Sequence, residues 1–208
     1  LAMGVLMAVV GGRITPLFTK SHCRREGIDV TIRERNHVDN FALVTLVTTF
    51  VGWEFGAPAA LTAAVGIVAV VVNLWRMRGW GWSATYNVPL VSVLHVGYLW
   101  LPIALLFMVV QSLWPAQLTT SWALHALSVG ALGTYGLGMM SRVSLGHTGR
   151  PLVAPTTMAV AFVVVAAAAL TRLAGVFAGA EAHRVVAAAA LLLAAAFALY
   201  VARQAHML

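Results

Sequence analysis

Long apolar stretches alternate along this chain with short polar breaks, at about residues 1–19, 40–54, 57–76, 88–113, 121–141, 153–178 and 183–203. A helix rises about 1.5 Å per residue, so roughly 20 apolar residues cross about 30 Å of hydrocarbon. The pattern predicts an all-α polytopic membrane helical bundle of about seven apolar segments, 6–7 of them transmembrane helices. The 40–54 stretch is short, which raises the question of whether 40–76 is one helix. Such a helix would run to about 55 Å, too long for the bilayer even when tilted. The break GWEFGAP, with two glycines, Glu54 and Pro58, marks a turn instead.

The basic residues test this count. The 20–39 loop carries Lys20, Arg24, Arg25, Arg33 and Arg35, and the next break carries none. Arg76 and Arg78 follow, then an uncharged break around QSLWPAQLTT, then Arg142 and Arg150. Positive and nearly uncharged breaks alternate, as the positive-inside rule demands, and seven crossings fit that alternation. The loops 20–39, 77–87 and 142–152 are therefore expected on the cytoplasmic side. Most of the tryptophans fall near segment ends, where an amphipathic ring suits the headgroup layer.

Composition agrees with the pattern. Hydrophobic residues make up 61% of the 208 positions and charged residues 9%, against roughly a quarter charged in a soluble domain. The net charge of +7 sits in the breaks rather than along a stripe, so it reads as topology and not as a nucleic-acid surface. A lone Cys23 excludes an intrachain disulfide and a CxxC metal knuckle. No hydrolase constellation, phosphate loop or paired catalytic carboxylates occur. The chain opens inside an apolar run with no secretory signal. The expectation is one bundle over 1–208, a piece of a longer protein, without internal repeat or soluble domain.

The chemistry to explain is histidine. His22 and His37 fall in the long basic loop, His147 in the 142–152 loop, and His183 and His206 flank the last segment. Only His95 and His125 lie within apolar spans, where an ionisable side chain is either functional or a neutral imidazole bonded to a neighbouring helix. His95 lies about 10 Å in from the basic side and His125 about 6 Å in from the other, so the two are not expected to share one metal ion. Around His125, Ala126, Gly130, Thr134 and Gly138 recur every fourth residue, a small-residue face that admits another helix or a flat macrocycle. Met139, Met140 and His147 are soft or imidazole donors, and Arg142 and Arg150 are forks suited to carboxylates. The same stretch also reads as an ordinary positive-inside loop with a glycine turn. Arg13 would either snorkel to the interface or face an anion within the bundle, and Glu54 would either be a solvated turn carboxylate or relay a proton.

Three stretches carry a resemblance: MGVLMAVVGGRITPLFT, VSVLHVGYLWLPIAL and HALSVGALGTYGLGMMSRVSLGHTGRPL, in that order. Together they resemble the NnrS family, polytopic bacterial inner-membrane proteins associated with haem, copper and nitric oxide metabolism in denitrifiers. The likeness covers about residues 1–155. It implies a C-terminal half of a roughly twelve-span protein, whose N-terminal half would be a partner and would supply further ligands. It also implies haem and copper as cofactors, with nitric oxide and an electron donor as partners beside the lipid bilayer. His125 then becomes the expected haem ligand and His95 a second metal ligand. Arg142 and Arg150 become anchors for anionic groups, with Arg13 beside them as a cofactor contact, and His147 a ligand or part of that rim. Two rivals stay open: a metal or haem carrier using His95, Tyr98 and Glu54 as a pathway, and a regulatory or assembly protein without turnover.

Overall fold

A computed structural model describes residues 1–33, 36–116, 119–175 and 177–205; Arg35 and His206 lie outside the described residues. The apolar runs become helices α1 (Ala2–Arg25), α2 (Asn36–Glu54), α3 (Ala59–Arg78), the single turn α4 (Trp82–Thr85) and α5 (Pro89–Leu113). Then follow α6 (Ser121–His125), a π-helical segment (Ala126–Gly133), α7 (Thr134–His147), α8 (Thr156–Ala174) and α9 (Ala182–Ala205). No strand occurs among the described residues. Five of these helical runs are long and apolar enough to cross a membrane: those of α1, α3, α5, α8 and α9. The protein is a membrane helical bundle.

Side-chain contacts give the direction of each helix. The end of α3 meets the start of α2 through Arg76 and Asp39, and the end of α1 meets the start of α5 through Thr19 and His95. The end of α7 meets the end of α9 through Ser144 and Tyr200. All these contacts lie at one end of the bundle, which also carries Arg24, Arg25, Arg78 and Arg142; we call it the basic end. Helix α2 and the run from α6 through α7 occupy the two remaining apolar segments of the sequence pattern, beside the five candidate spans. The ordered breaks are shorter than the hydropathy profile implied. Helix α1 continues to Arg25, α2 starts at Asn36 and α7 runs on to His147, because a polar helical turn at the headgroup layer still satisfies its own backbone.

Helix α5 is the axis. Its residues are apolar on every face, the composition of a helix with neighbours all around it, and Leu90, Leu94, Leu101, Leu105 and Met108 are fully enclosed. It touches α1, α3, α6, the π segment and α7. Small residues set how close these neighbours come: a Cβ added at Gly97 would lie 2.7 Å from the Tyr135 backbone nitrogen. Without a hydrophobic force to separate helices from lipid, such close backbone packing is a main source of association. Helix α9 is peripheral; it packs chiefly on α8, and Leu191 and Val201 face outward.

The π segment was not anticipated. Its eight residues widen the helix at the place where Gly130 lies against the indole of Trp100 on α5, with a hypothetical Cβ only 2.5 Å from Trp100 Cδ2. Such segments are rare and cluster at functional sites. Here the immediate consequence is packing. On the small face Ala126–Gly130–Thr134–Gly138, α5 lies against two positions, since Gly138 meets Val93 and Leu94 as Gly130 meets Trp100, while Thr134 lines a cavity with Val96 of α5 and Phe162 of α8.

Candidate functional site

The most elaborate polar construction in the bundle surrounds Arg76, in the last turn of α3. Its side chain is 5% exposed. Nε donates to Asp39 Oδ1 of α2 at 2.5 Å. Nη1 donates to the Tyr98 hydroxyl of α5 at 2.8 Å and to the Ala8 carbonyl of α1 at 3.2 Å. Tyr98 in turn donates to Asn73 Oδ1 at 2.9 Å, and Asn73 Nδ2 donates to the Ala69 carbonyl one turn back at 2.8 Å. Four helices thus meet on one guanidinium, with the Trp80 indole 5.5 Å from its carbon and Trp80 edge-on to Tyr98 at 4.7 Å.

Sequence makes this possible at Gly12. A Cβ there would run into Nη2 and Cζ of Arg76 and come within 2.5 Å of Nη1. Only a residue without a side chain lets α1 approach the fork. A buried charge is costly unless paired and hydrogen-bonded, and every contact above serves that requirement.

His95 lies beside this network on α5, fully buried. Its Nε2 is 3.0 Å from Thr19 Oγ1 of α1, and Thr19 also donates to the Thr15 carbonyl at 2.9 Å. The rings of Trp82 and Trp80 close over the imidazole at 5.2 and 6.2 Å. One turn further into the bundle, Thr15 bonds the Tyr135 hydroxyl of α7 at 3.2 Å. His95 is therefore held by a neighbouring helix and shielded by indoles.

The other candidates lie apart. Arg142 is buried, with its guanidinium 4.0 Å from the centre of the Phe18 ring on α1, a cation–π contact. His147 and Arg150 are exposed beyond it at the basic end, Arg150 over a groove with Arg203 and Pro155. His125 is half-buried at the opposite end, with Arg172 of α8 as the cation in electrostatic range. Arg13 points out of the bundle from the middle of α1, while its neighbours Gly11 and Gly12 face inward. The structure therefore splits the expected set: His95, Arg142, His147 and Arg150 share the basic end, His125 lies at the other, and Arg13 joins neither. Among the described residues no group of three or more His, Cys, Asp or Glu could hold a metal ion.

The model of the family described as NnrS protein matches residues 1–208, the whole chain. The chain belongs to the NnrS family. The match extends through α8 and α9, beyond the stretch where the motif resemblance ends. No curated protein and no solved structure matches the chain. In this NnrS chain Arg76, Asp39 and Asn73, which motif reading passed over, meet Gly12 of the first resemblance stretch in the buried centre. Arg76 looked like a loop charge because it ends an apolar run. The available signal was Asn73 within that run, one turn before Arg76, and the Gly11–Gly12 pair opposite.

Proposed function

We propose that this chain forms part of a haem- and copper-associated membrane protein acting in nitric oxide metabolism or the response to nitrosative stress. The observation that carries the reading is the family match over the entire chain. The geometry narrows how this chain would take part. A metal site built on three or more His, Cys, Asp or Glu of the described residues does not fit, since no such group exists among them.

One axial imidazole fits better. His125 is half-buried beside Ser121 and Leu124 at the edge of the bundle, where a ligand arriving from outside these helices has access. His95 fits less well, enclosed by two indoles and bonded to Thr19. In this proposal His125 supplies one haem ligand and Arg172 the nearby positive charge for a carboxylate; the remaining ligands come from polypeptide beyond these passes, such as the N-terminal half. Haem bound there would supply a redox-active iron able to hold a diatomic gas. Arg142 and Arg150, at the far end, would act on a different anionic group, and His147 with them. A carrier reading draws on the Asp39–Arg76–Tyr98–Asn73 chain, because polar side chains within a span mark pathways.

The test is an optical spectrum with iron and copper analysis on the full-length protein and on its His125→Ala, His95→Ala and His147→Ala variants. Loss of the Soret band and of iron in His125→Ala alone is expected. Full retention in all three variants would remove these histidines as ligands. Nitric oxide consumption with an electron donor would then separate turnover from sensing or assembly.

A further inference from the structure

Outside the buried centre, the basic end holds a pocket of about 280 Å³ between α2, α3 and the segment before α2. Its walls carry three guanidiniums, Arg33, Arg76 and Arg78, against one carboxylate, Asp39. That carboxylate is already bound to Arg76. Arg33 and Arg78 are exposed, and among the described residues no hydrogen bond or ion pair engages either side chain. The pocket is held in shape by the backbone: the Arg33 N–H donates to the Gly79 carbonyl at 3.0 Å, which fastens the incoming segment to the end of α3.

Two of the pocket's walls, Val38 and Trp75, also line an adjoining apolar groove with His37, Phe41 and Val72. The groove runs down the outer face of the α2–α3 hairpin. Trp75 and Phe41 are each about half exposed there, at 54% and 51%. A cationic recess therefore opens at the end of a membrane span, directly above an apolar channel on the span's lipid side.

We propose that this recess binds an anionic glycerophospholipid, with the phosphate between Arg33 and Arg78 and one acyl chain along Val38, Phe41, Val72 and Trp75. Guanidinium forks match phosphate oxygens two at a time. The paired state of Asp39 keeps its charge from repelling the ligand. The continuous groove is what selects a lipid over free phosphate, which would use only the upper half of the site. The bound lipid would cover the outer side of the Arg76–Asp39 pair and stiffen the α2–α3 hairpin.

Lipids with brominated acyl chains quench a tryptophan that they touch, and the difference between the parent and Trp75→Phe isolates the signal of Trp75. The full chain, reconstituted in zwitterionic vesicles, is titrated with brominated phosphatidylglycerol or brominated phosphatidylcholine. Saturable Trp75 quenching is expected with the anionic lipid, at least tenfold weaker with the zwitterionic one. With each surface arginine contributing about fivefold, Arg33→Gln/Arg78→Gln should weaken the anionic response about 25-fold. Both positions are exposed and outside the buried network, and an unchanged circular-dichroism spectrum and melting temperature establish that the double variant is folded. Equal quenching by the two lipids, or full anionic selectivity in the folded double variant, would overturn the proposal. Displacement of the lipid by millimolar inorganic phosphate would overturn it too, by assigning the recess to the free ion.

Discussion

Gly12→Ala offers the sharpest test of the buried centre, because it adds one carbon at a place where the structure leaves no room for it. The new Cβ would run into the Arg76 guanidinium. Helix α1 cannot retreat without opening its contacts with α5, so the fork must move toward Asp39 and the basic mouth. It would then give up its bonds to the Tyr98 hydroxyl and the Ala8 carbonyl. Hydrogen bonds to a charged group are each worth about 1.5–3 kcal/mol, while alanine in place of glycine in a helix returns about 1 kcal/mol. With the Asp39 bond retained, the net loss is expected at about 2–5 kcal/mol. The assay is reversible unfolding in mixed micelles, read by tryptophan fluorescence, on the four corners of a cycle with Arg76→Ala. Arg76→Ala alone strands the Asp39 carboxylate and should cost about 3–5 kcal/mol. In that background Gly12→Ala should cost nothing, since the obstructing group is gone. A cost below about 0.5 kcal/mol in the parent, or an equal cost with and without Arg76, would refute the reasoning.

Two further outcomes follow from the same packing. Gly130→Ala should destabilise the bundle by about 1–3 kcal/mol through overpacking on Trp100, and Trp100→Leu should relieve most of that, as the same unfolding assay would register. Thr19→Val should leave His95 Nε2 without its partner and cost about 1–2 kcal/mol, whereas Thr19→Ser should stay near the parent; parallel melts of the two variants decide it.

Much of the architecture was legible from the linear pattern. Hydropathy and the alternation of basic breaks are properties of each segment by itself, and the bilayer acts on each segment as a solvent. That is why the apolar helical segments, the turn at 55–58 and the shared end of the basic breaks could all be read before any helix was placed. Recognition of the family rested on three stretches of the chain and held over all of it.

What only the tertiary structure decided was which faces meet. Arg13 and Arg76 are both arginines that belong to apolar runs. One points out from the middle of α1; the other is the hub of four helices. Asn73 is a local hint for Arg76, but what decides the difference is Gly12, Asp39 and Tyr98, contributed by three other helices. The π segment likewise became visible only in the structure, where its Gly130 lies against Trp100 of a neighbouring helix. His95 and His125 could be assigned depths from sequence, but the Thr19 bond that occupies one and the open edge beside the other arise only from packing. Burial in lipid is a one-body property that sequence carries; pairing a buried charge is a many-body one, settled only when the helices assemble.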